Sequence, residues 1–159
     1  MRAPRLVQIM RDKSEAMSGE LVTKIRASVE CSDLLVHVPE SEQKQYAREI
    51  YQDLIEWLEN RKDSVLEQRY VALGKRRASQ GIPASHLFSA VTIAHECLWD
   101  YMEQECLHEE PVEFLGGVML LRSMSSFFDR VVHFALIGYE QMGQDESAAL
   151  AFLGRRRSA

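Results

Sequence analysis

The side chains best suited to bind a metal lie close together in the second half of the chain. They are His95, Cys97, Cys106 and His108. In a helix, His95 and Cys97 point about 200° apart, while His95 and Cys106 share a face but lie about 16 Å apart. Zinc needs its ligands within about 2.3 Å of one point. The spacing therefore favours a hydrogen-bonded core histidine and buried thiols, and a metal-binding helical protein stays open only if other helices supply ligands.

One acid and one histidine have a spacing that could support proton transfer. Asp129 and His133 lie four residues apart, so a helix would place them on one face. Both fall on a polar stripe, where such a pair is more often solvated than catalytic. Cys97 and Cys106 have no identifiable activating base, and a buried helical thiol is usually unreactive. We therefore predict that the chain is not an enzyme and has no catalytic residue.

Positive charge is concentrated in the run Lys75, Arg76 and Arg77. This run ends a predicted helix, where cations complement the helix dipole; binding to an acidic partner or an anionic ligand is the alternative. A second run, Arg155 to Arg157, is typical of a solvated tail. Because the formal net charge is −5, a general nucleic-acid-binding role has no electrostatic support.

Length and composition indicate one globular domain. The chain has 159 residues, of which 46% are hydrophobic and 27% are charged, which is enough for a buried core. Three cysteines without a Cys-x-x-Cys pair suggest reduced thiols rather than a disulfide framework. No apolar run is long enough for a signal peptide or a membrane span. We therefore expect a cytoplasmic protein that does not enter the membrane.

The first sixty residues predict helices joined by one connection. A first helix can open at Pro4, break at Ser18–Gly19 and then resume. Residues Cys31 to Pro39 are predicted to form the connection. Ser41 is predicted to cap the next helix, which ends near Asn60 and has a clear apolar stripe. The acidic residues expected on its solvated side are Glu42, Glu49, Asp53 and Glu56.

The next two helices are predicted to meet at a tight hinge. Ser64 is expected to cap a helix that stops at Gly81, and another helix starts behind Pro83. A glycine after the last turn and a proline at the next first position are the expected stop and start signals. The helix behind Pro83 is apolar over a wide arc, so it should contact more than one neighbour.

The last helix is predicted to begin behind Pro111 and to run to about Met142, roughly 45 Å. Apart from one polar stripe it is nearly all apolar, which is more than one small domain can cover, so we predict a homodimer through this helix. The stripe consists of Arg122, Ser126, Asp129, His133 and Glu140. The residues assigned to the dimer interface are Leu121, Met124, Phe128, Val131, Val132 and Ala135.

These patterns predict an all-α protein with a single helical domain, globin-like or four-helix-bundle-like, and a long C-terminal helix. The domain is assigned to residues 1–143, and residues 144–159 are assigned to a short C-terminal segment with a basic tail. Within that segment, Ser147 to Leu153 is expected to dock back as a helical turn or two.

Two segments resemble a known group of sensors. The run ALGKRRASQGIPASHLFSAVTIAHECLWDYM, with its R-x-x-x-G-I-P pattern, is similar to the helix–turn–helix segment of globin-type bacterial sensors. It also resembles the N-terminal input domains of RsbR-type stressosome proteins and related histidine-kinase input domains. The run LRSMSSFFDRVVHFALIGYEQM resembles their closing long helix. The similar parts cover roughly residues 65 to 142.

The resemblance has an implication for haem. In haem-binding members of the globin-sensor group, a histidine ligand stands four residues before the turn glycine, and here that position is Arg77. Arginine stays charged and is not an ordinary iron ligand. The resemblance therefore implies a non-haem sensor domain with no cofactor, although haem stays possible if His86 or His95 replaces the missing ligand.

The function expected from these observations is a non-catalytic signalling input domain. It would dimerise through its last helix and pass a packing change, between the helix behind Pro83 and the last helix, to a protein partner. The alternative is a sensor that binds a small molecule or a tetrapyrrole. The residues assigned to its pocket are Tyr70, Arg77, His95 and Trp99.

Overall fold

The chain consists of helices alone over the residues that its computed structural model describes, which are 3–106 and 111–157. Six α-helices and one 3₁₀ turn follow one another, and none of these residues forms a strand. The elements are α1 (Ala3–Ala27), the 3₁₀ turn (Val29–Cys31), α2 (Ser32–His37), α3 (Glu40–Asn60), α4 (Asp63–Ser79), α5 (Ala84–Cys106) and α6 (Pro111–Arg157). The predicted all-α domain with a long C-terminal helix is confirmed, while the choice between globin-like and bundle-like packing stays a prediction. Within these ranges, no helix is both long and apolar enough to cross a membrane.

Helix α1 is continuous, so the break predicted at Ser18–Gly19 is wrong. Ser18 is buried, and its hydroxyl group donates to the carbonyl oxygens of Ser14, at 2.6 Å, and Ala47, at 3.2 Å. The side chain that could have ended the helix instead bonds to it and to α3. The predicted connection after α1 also differs, because the 3₁₀ turn and α2 occupy most of it.

Helices α3 and α4 each begin one residue before the serine that was predicted to cap them. Between them, Arg61 adopts a left-handed conformation with φ of 54° and closes α3 through a bond from its N–H to the Trp57 carbonyl oxygen, 2.7 Å. One expectation for α3 is wrong: Asp53 does not face solvent but is buried, with 3% of its surface exposed.

The predicted hinge between α4 and α5 is confirmed. Gly81 has φ of 73°, a conformation that favours glycine. The N–H of Gly81 donates to Ala78 O at 3.0 Å, and the N–H of Ile82 donates to Arg77 O at 3.1 Å. Ile82 is fully buried, so the hinge is anchored in the core. Behind it, α5 begins directly after Pro83.

Helix α6 packs most extensively on α4, and the two main chains meet directly. A Cβ atom added at Gly74 would lie 1.9 Å from the carbonyl oxygen of Ala135. A Cβ atom added at Gly138 would lie 2.0 Å from the carbonyl oxygen of Val71. Both distances are far inside van der Waals contact, so only glycine permits this approach at either position. We call this contact the glycine crossing.

Helix α6 does not end near Met142 as predicted but continues without interruption to Arg157. Every residue from Gly143 to Arg157 is exposed. The expectation that Ser147 to Leu153 docks back is therefore wrong. The last fifteen residues of the helix, 143–157, extend about 22 Å at 1.5 Å per residue beyond the packed part. We call them the projecting segment.

Candidate functional site

An apolar cavity of about 90 Å³ lies among α1, α3, α4 and α5, with α2 and the residue after it closing one side. Two of the four predicted pocket residues, Tyr70 and Arg77, line it. They lie two turns apart on α4 and face the same space because seven residues are nearly two full turns of a helix. The other lining residues are Leu21, Val22, Ile25, Leu34, Val38, Gln43, Tyr46, Ala47, Ile50, Leu73, Leu87, Ala90, Val91 and Ala94.

Arg77 is buried at the cavity wall and its charge is compensated. Its guanidinium group donates to Glu42 Oε1 at 2.9 Å and to Gln80 Oε1 at 2.8 Å, and lies 4.8 Å from the centre of the Tyr46 ring. Hydrogen bonds from Arg76 and then from Arg77 lower the pKa of Glu42 to about 2, although burial opposes them. The basic run at the end of α4 thus binds a carboxylate of α3, which supports the structural interpretation of that run.

The ring of Tyr70 lines the cavity, whereas its hydroxyl group is used in a hydrogen bond elsewhere. The hydroxyl group donates to Asp53 Oδ2 at 2.7 Å, and Arg69 donates to Asp53 Oδ1. Burial raises the pKa of Asp53, while the hydrogen bond from Tyr70 and the charge of Arg69 counteract it. Because both carboxylate oxygens accept hydrogen bonds, the arrangement suits the ionised form.

Gln43 is a lining residue that the sequence did not identify. Its Nε2 donates to the carbonyl oxygens of Leu34, at 3.2 Å, and Val38, at 2.9 Å. Its Oε1 is buried and accepts no hydrogen bond from any residue that the structure describes. A glutamine in the first turns of an exposed-looking helix carries no local signal for this role, because its partners are carbonyl groups at the end of another helix.

The other two predicted pocket residues, His95 and Trp99, lie outside the cavity, between α5 and α6. Trp99 Nε1 donates to His95 Nε2 at 3.1 Å, and His95 Nε2 also lies 3.3 Å from Ser125 Oγ. The His95 ring stacks on Phe128 with centroids 4.5 Å apart. Burial lowers the pKa of His95, and the charge of Asp129 opposes this. An accepting Nε2 also favours the neutral ring.

Four of the six residues assigned to a dimer interface are buried within the chain itself. Met124, Phe128, Val131 and Ala135 are each at most 2% exposed. The remaining two, Leu121 and Val132, are partly buried against the core. The neighbouring helices therefore cover more of α6 than its apolar composition suggested. Its predicted polar stripe is largely exposed, including Asp129 and His133.

The cysteines and histidines do not converge where the structure describes them. Cys31 and Cys97 are buried, and burial raises the pKa of both thiols. Among the side chains that the structure describes, no three histidine, cysteine, aspartate or glutamate side chains come together in a way that could hold a metal ion. His108 and the side chain of Cys106 lie outside what the structure describes.

Comparison with known protein families gives a match over most of the chain. A family model described as the RsbT co-antagonist protein rsbRD N-terminal domain matches residues 15–157. No curated protein and no solved structure matches the chain significantly. The matched residues run from within α1 almost to the end of α6, and the resemblance to RsbR-type stressosome proteins is confirmed. The chain belongs to the family of RsbT co-antagonist rsbRD N-terminal domains and is a stressosome-type signalling input domain.

Proposed function

We propose that the chain acts as a non-catalytic homodimer and passes a change in packing between α5 and α6 to a protein partner. The observation that carries this proposal is the course of α6. Its middle part is buried against α4 and α5, and the same helix continues as the exposed projecting segment. A helix without a break transmits a shift of its buried part to its exposed part. The family of signalling domains to which the chain belongs supports the same reading.

The dimer surface that we propose combines α5 with α6. Phe88 and Trp99 on α5 are 50% and 43% exposed although they are large and apolar. Val132 and Leu136 follow Phe128 at one and two turns on a similar side of α6 and are half-buried. Trp99 and Phe128 both contact His95, beside the α5–α6 contact. Phe88 lies eleven residues before Trp99, about three helical turns, and therefore shares its face of α5. A dimer there would sense the packing between these helices.

The projecting segment is the proposed contact for the partner. Its exposed apolar residues are Leu150, Phe152 and Leu153, with 70%, 59% and 57% of their surfaces exposed. Clustered exposed apolar side chains of this kind are typical of protein interaction sites. The three arginines at its end add positive charge, so an apolar partner surface with acidic residues at its rim would fit.

The dimer proposal is tested by mass measurement with light scattering or sedimentation at micromolar concentration. We expect the wild type to have twice the mass of the chain. Phe88→Glu places a charge in the proposed surface and should weaken association by at least about tenfold, a free-energy change of about 1.4 kcal/mol. Val65→Glu is the matched control, since Val65 is 45% exposed on α4 and should leave the dimer intact. A monomeric wild type would contradict the proposal.

We further propose that the domain works without haem. Two observations support this: the cavity of about 90 Å³ is small for a tetrapyrrole, and no histidine lines it. Arg77, at the position of the usual ligand, is already bound to Glu42. An absorption spectrum before and after addition of haem tests the proposal. We expect no specific Soret band, and a stable band that depends on His86 or His95 would refute it.

A further inference from the structure

We propose that the cavity binds a small neutral molecule that is mostly apolar and carries one hydrogen-bond donor, such as a phenol or a short-chain alcohol. The buried Oε1 of Gln43 would accept that hydrogen bond. The site itself depends on the cavity alone. Only its use as the stimulus of the domain rests on the proposed signalling function.

The size and lining of the cavity define the apolar part of the ligand. Its wall is formed almost wholly by aliphatic side chains and tyrosine rings, which favour an apolar occupant. An engineered cavity of about 150 Å³ with a similar lining binds benzene. The present cavity of about 90 Å³ is smaller. It should therefore accept one ring or a short chain.

The orientation of Gln43 defines the polar part of the ligand. Its amide nitrogen is fixed by two carbonyl oxygens, those of Leu34 and Val38. Carbonyl oxygens only accept hydrogen bonds, so the amide group cannot turn over without losing both bonds. Its oxygen therefore stays on the other side of the amide group, where it is buried without a partner among the described residues. A ligand donor reaches it when the side chains beside it move slightly. Such an acceptor destabilises the protein unless it receives a donor.

The one charged group at the wall already has partners. Arg77 is the single cation among the lining residues, and its guanidinium group is bound to Glu42, Gln80 and the Tyr46 ring. The hydroxyl group of Tyr70 is bound to Asp53. A neutral ligand with a hydroxyl or an N–H group fits the wall best.

The cavity is also connected to α6 through α4. Leu73 and Arg77 line the cavity, while Gly74, between them in the sequence, contacts the main chain of α6 on another side of the same helix. A ligand that pushes α4 outward would press its main chain against that of α6 at the glycine crossing. This connection supplies a route from ligand to α6.

The test is an NMR titration of the full ¹⁵N-labelled chain with phenol and, separately, with benzene, which has the same ring but no donor. We expect saturable shifts of cavity amides with phenol, and an affinity for phenol about tenfold higher than for benzene, as one buried hydrogen bond provides. Gln43→Met removes the acceptor and should abolish that preference.

A second variant keeps the test independent of Gln43, whose replacement also removes two hydrogen bonds to the end of α2. Ala90→Leu should fill the cavity and reduce phenol affinity at least about tenfold. Ala72→Leu, at an exposed position of α4, is the matched control and should bind phenol as the wild type does. Absence of saturable binding, equal affinity for phenol and benzene, or binding that survives Ala90→Leu would each overturn the proposal. These outcomes are separate from the oligomeric state, which is measured without ligand.

Discussion

Tyr70 connects the cavity wall to the buried charge of Asp53, and this makes its hydroxyl group testable. Tyr70→Phe should destabilise the chain by about 1.5–3 kcal/mol, because the buried carboxylate loses one of its two hydrogen-bond donors. The measurement is urea-induced unfolding at pH 7. Tyr46→Phe, which keeps the ring beside Arg77, is the control and should change the unfolding free energy much less. Equal losses in the two variants would contradict this role for the Tyr70–Asp53 bond.

Glu42 predicts how stability depends on acid. Its pKa is about 2 in the folded chain, below the ordinary value of 4.5. Its ion pairs therefore stabilise the fold fully above pH 4.5, and this contribution is lost as the pH falls from 4.5 towards 2. Glu42→Gln should lower stability at pH 7 by about 2–3 kcal/mol, because the buried Arg77 loses its counter-charge. The pair with the exposed Arg76 adds little, since solvent screens it. The difference should shrink at pH 3, as measured by urea unfolding, whereas the exposed Glu67→Gln should have little effect at either pH.

Of the four residues that the sequence predicted for a ligand pocket, two line the cavity. Tyr70 and Arg77 are at the cavity because seven-residue spacing on a helix fixes a common face. His95 and Trp99 are not, because α5 is apolar over a wide arc and its pattern does not say which neighbour each side contacts. Gln43 could not be found from the sequence, since its hydrogen bonds go to α2 and depend on how the chain folds back.

The glycine crossing between α4 and α6 brings two main chains into direct contact and can be tested by adding one methyl group. In Gly138→Ala the new Cβ would lie 2.0 Å from the Val71 carbonyl oxygen, so the two helices must separate. We expect a loss of about 2–4 kcal/mol, in the range of severe core disruption. Gly143→Ala is the matched control on the same helix, with no atom within 4 Å of its Cβ. It should be stabilising by about 1 kcal/mol through helix propensity. A mild Gly138→Ala would mean that the crossing is not tight in solution.

The elements were predicted well where local signals are strong. Gly81 and Pro83 end and start helices through their own backbone geometry, so the hinge could be predicted from the sequence. The break at Ser18–Gly19 and the helix end near Met142, just before Gly143, rested on weaker signals, since a glycine within a helix costs only about 1 kcal/mol relative to alanine. At Ser18, the hydrogen bonds of the buried hydroxyl group to Ser14 and Ala47 offset the cost of the neighbouring glycine. At Gly143, the helix continues in spite of the glycine. The glycine crossing left no local signal beyond small residues, such as Ala135 and Gly138, within a helix of large apolar ones.

At the scale of the whole molecule, the projecting segment and the packed body should be separable. A chain that ends at Met142 should fold with an unfolding free energy within about 0.5 kcal/mol of the full chain, because every residue from 143 to 157 is exposed. It should also keep its dimeric mass, since the proposed dimer surface lies on α5 and the middle of α6. Urea unfolding and light scattering measure the two properties. A large loss of stability, or conversion to a monomer, would show that the projecting segment supports the fold or the dimer.

The course of α6 past Gly138 also has a mechanical consequence. The glycine crossing holds the helix where main chain meets main chain, so a tilt of α6 turns about that point. From Gly138 to Arg157 the helix extends about 28 Å at 1.5 Å per residue, so a tilt of about 5° would move its end by about 2.5 Å. A small tilt of the helix within the core thus displaces its exposed end by a distance that would change its contacts with a bound partner. The helix acts as a lever whose pivot is the glycine crossing and whose outer arm is the part of α6 beyond Gly138.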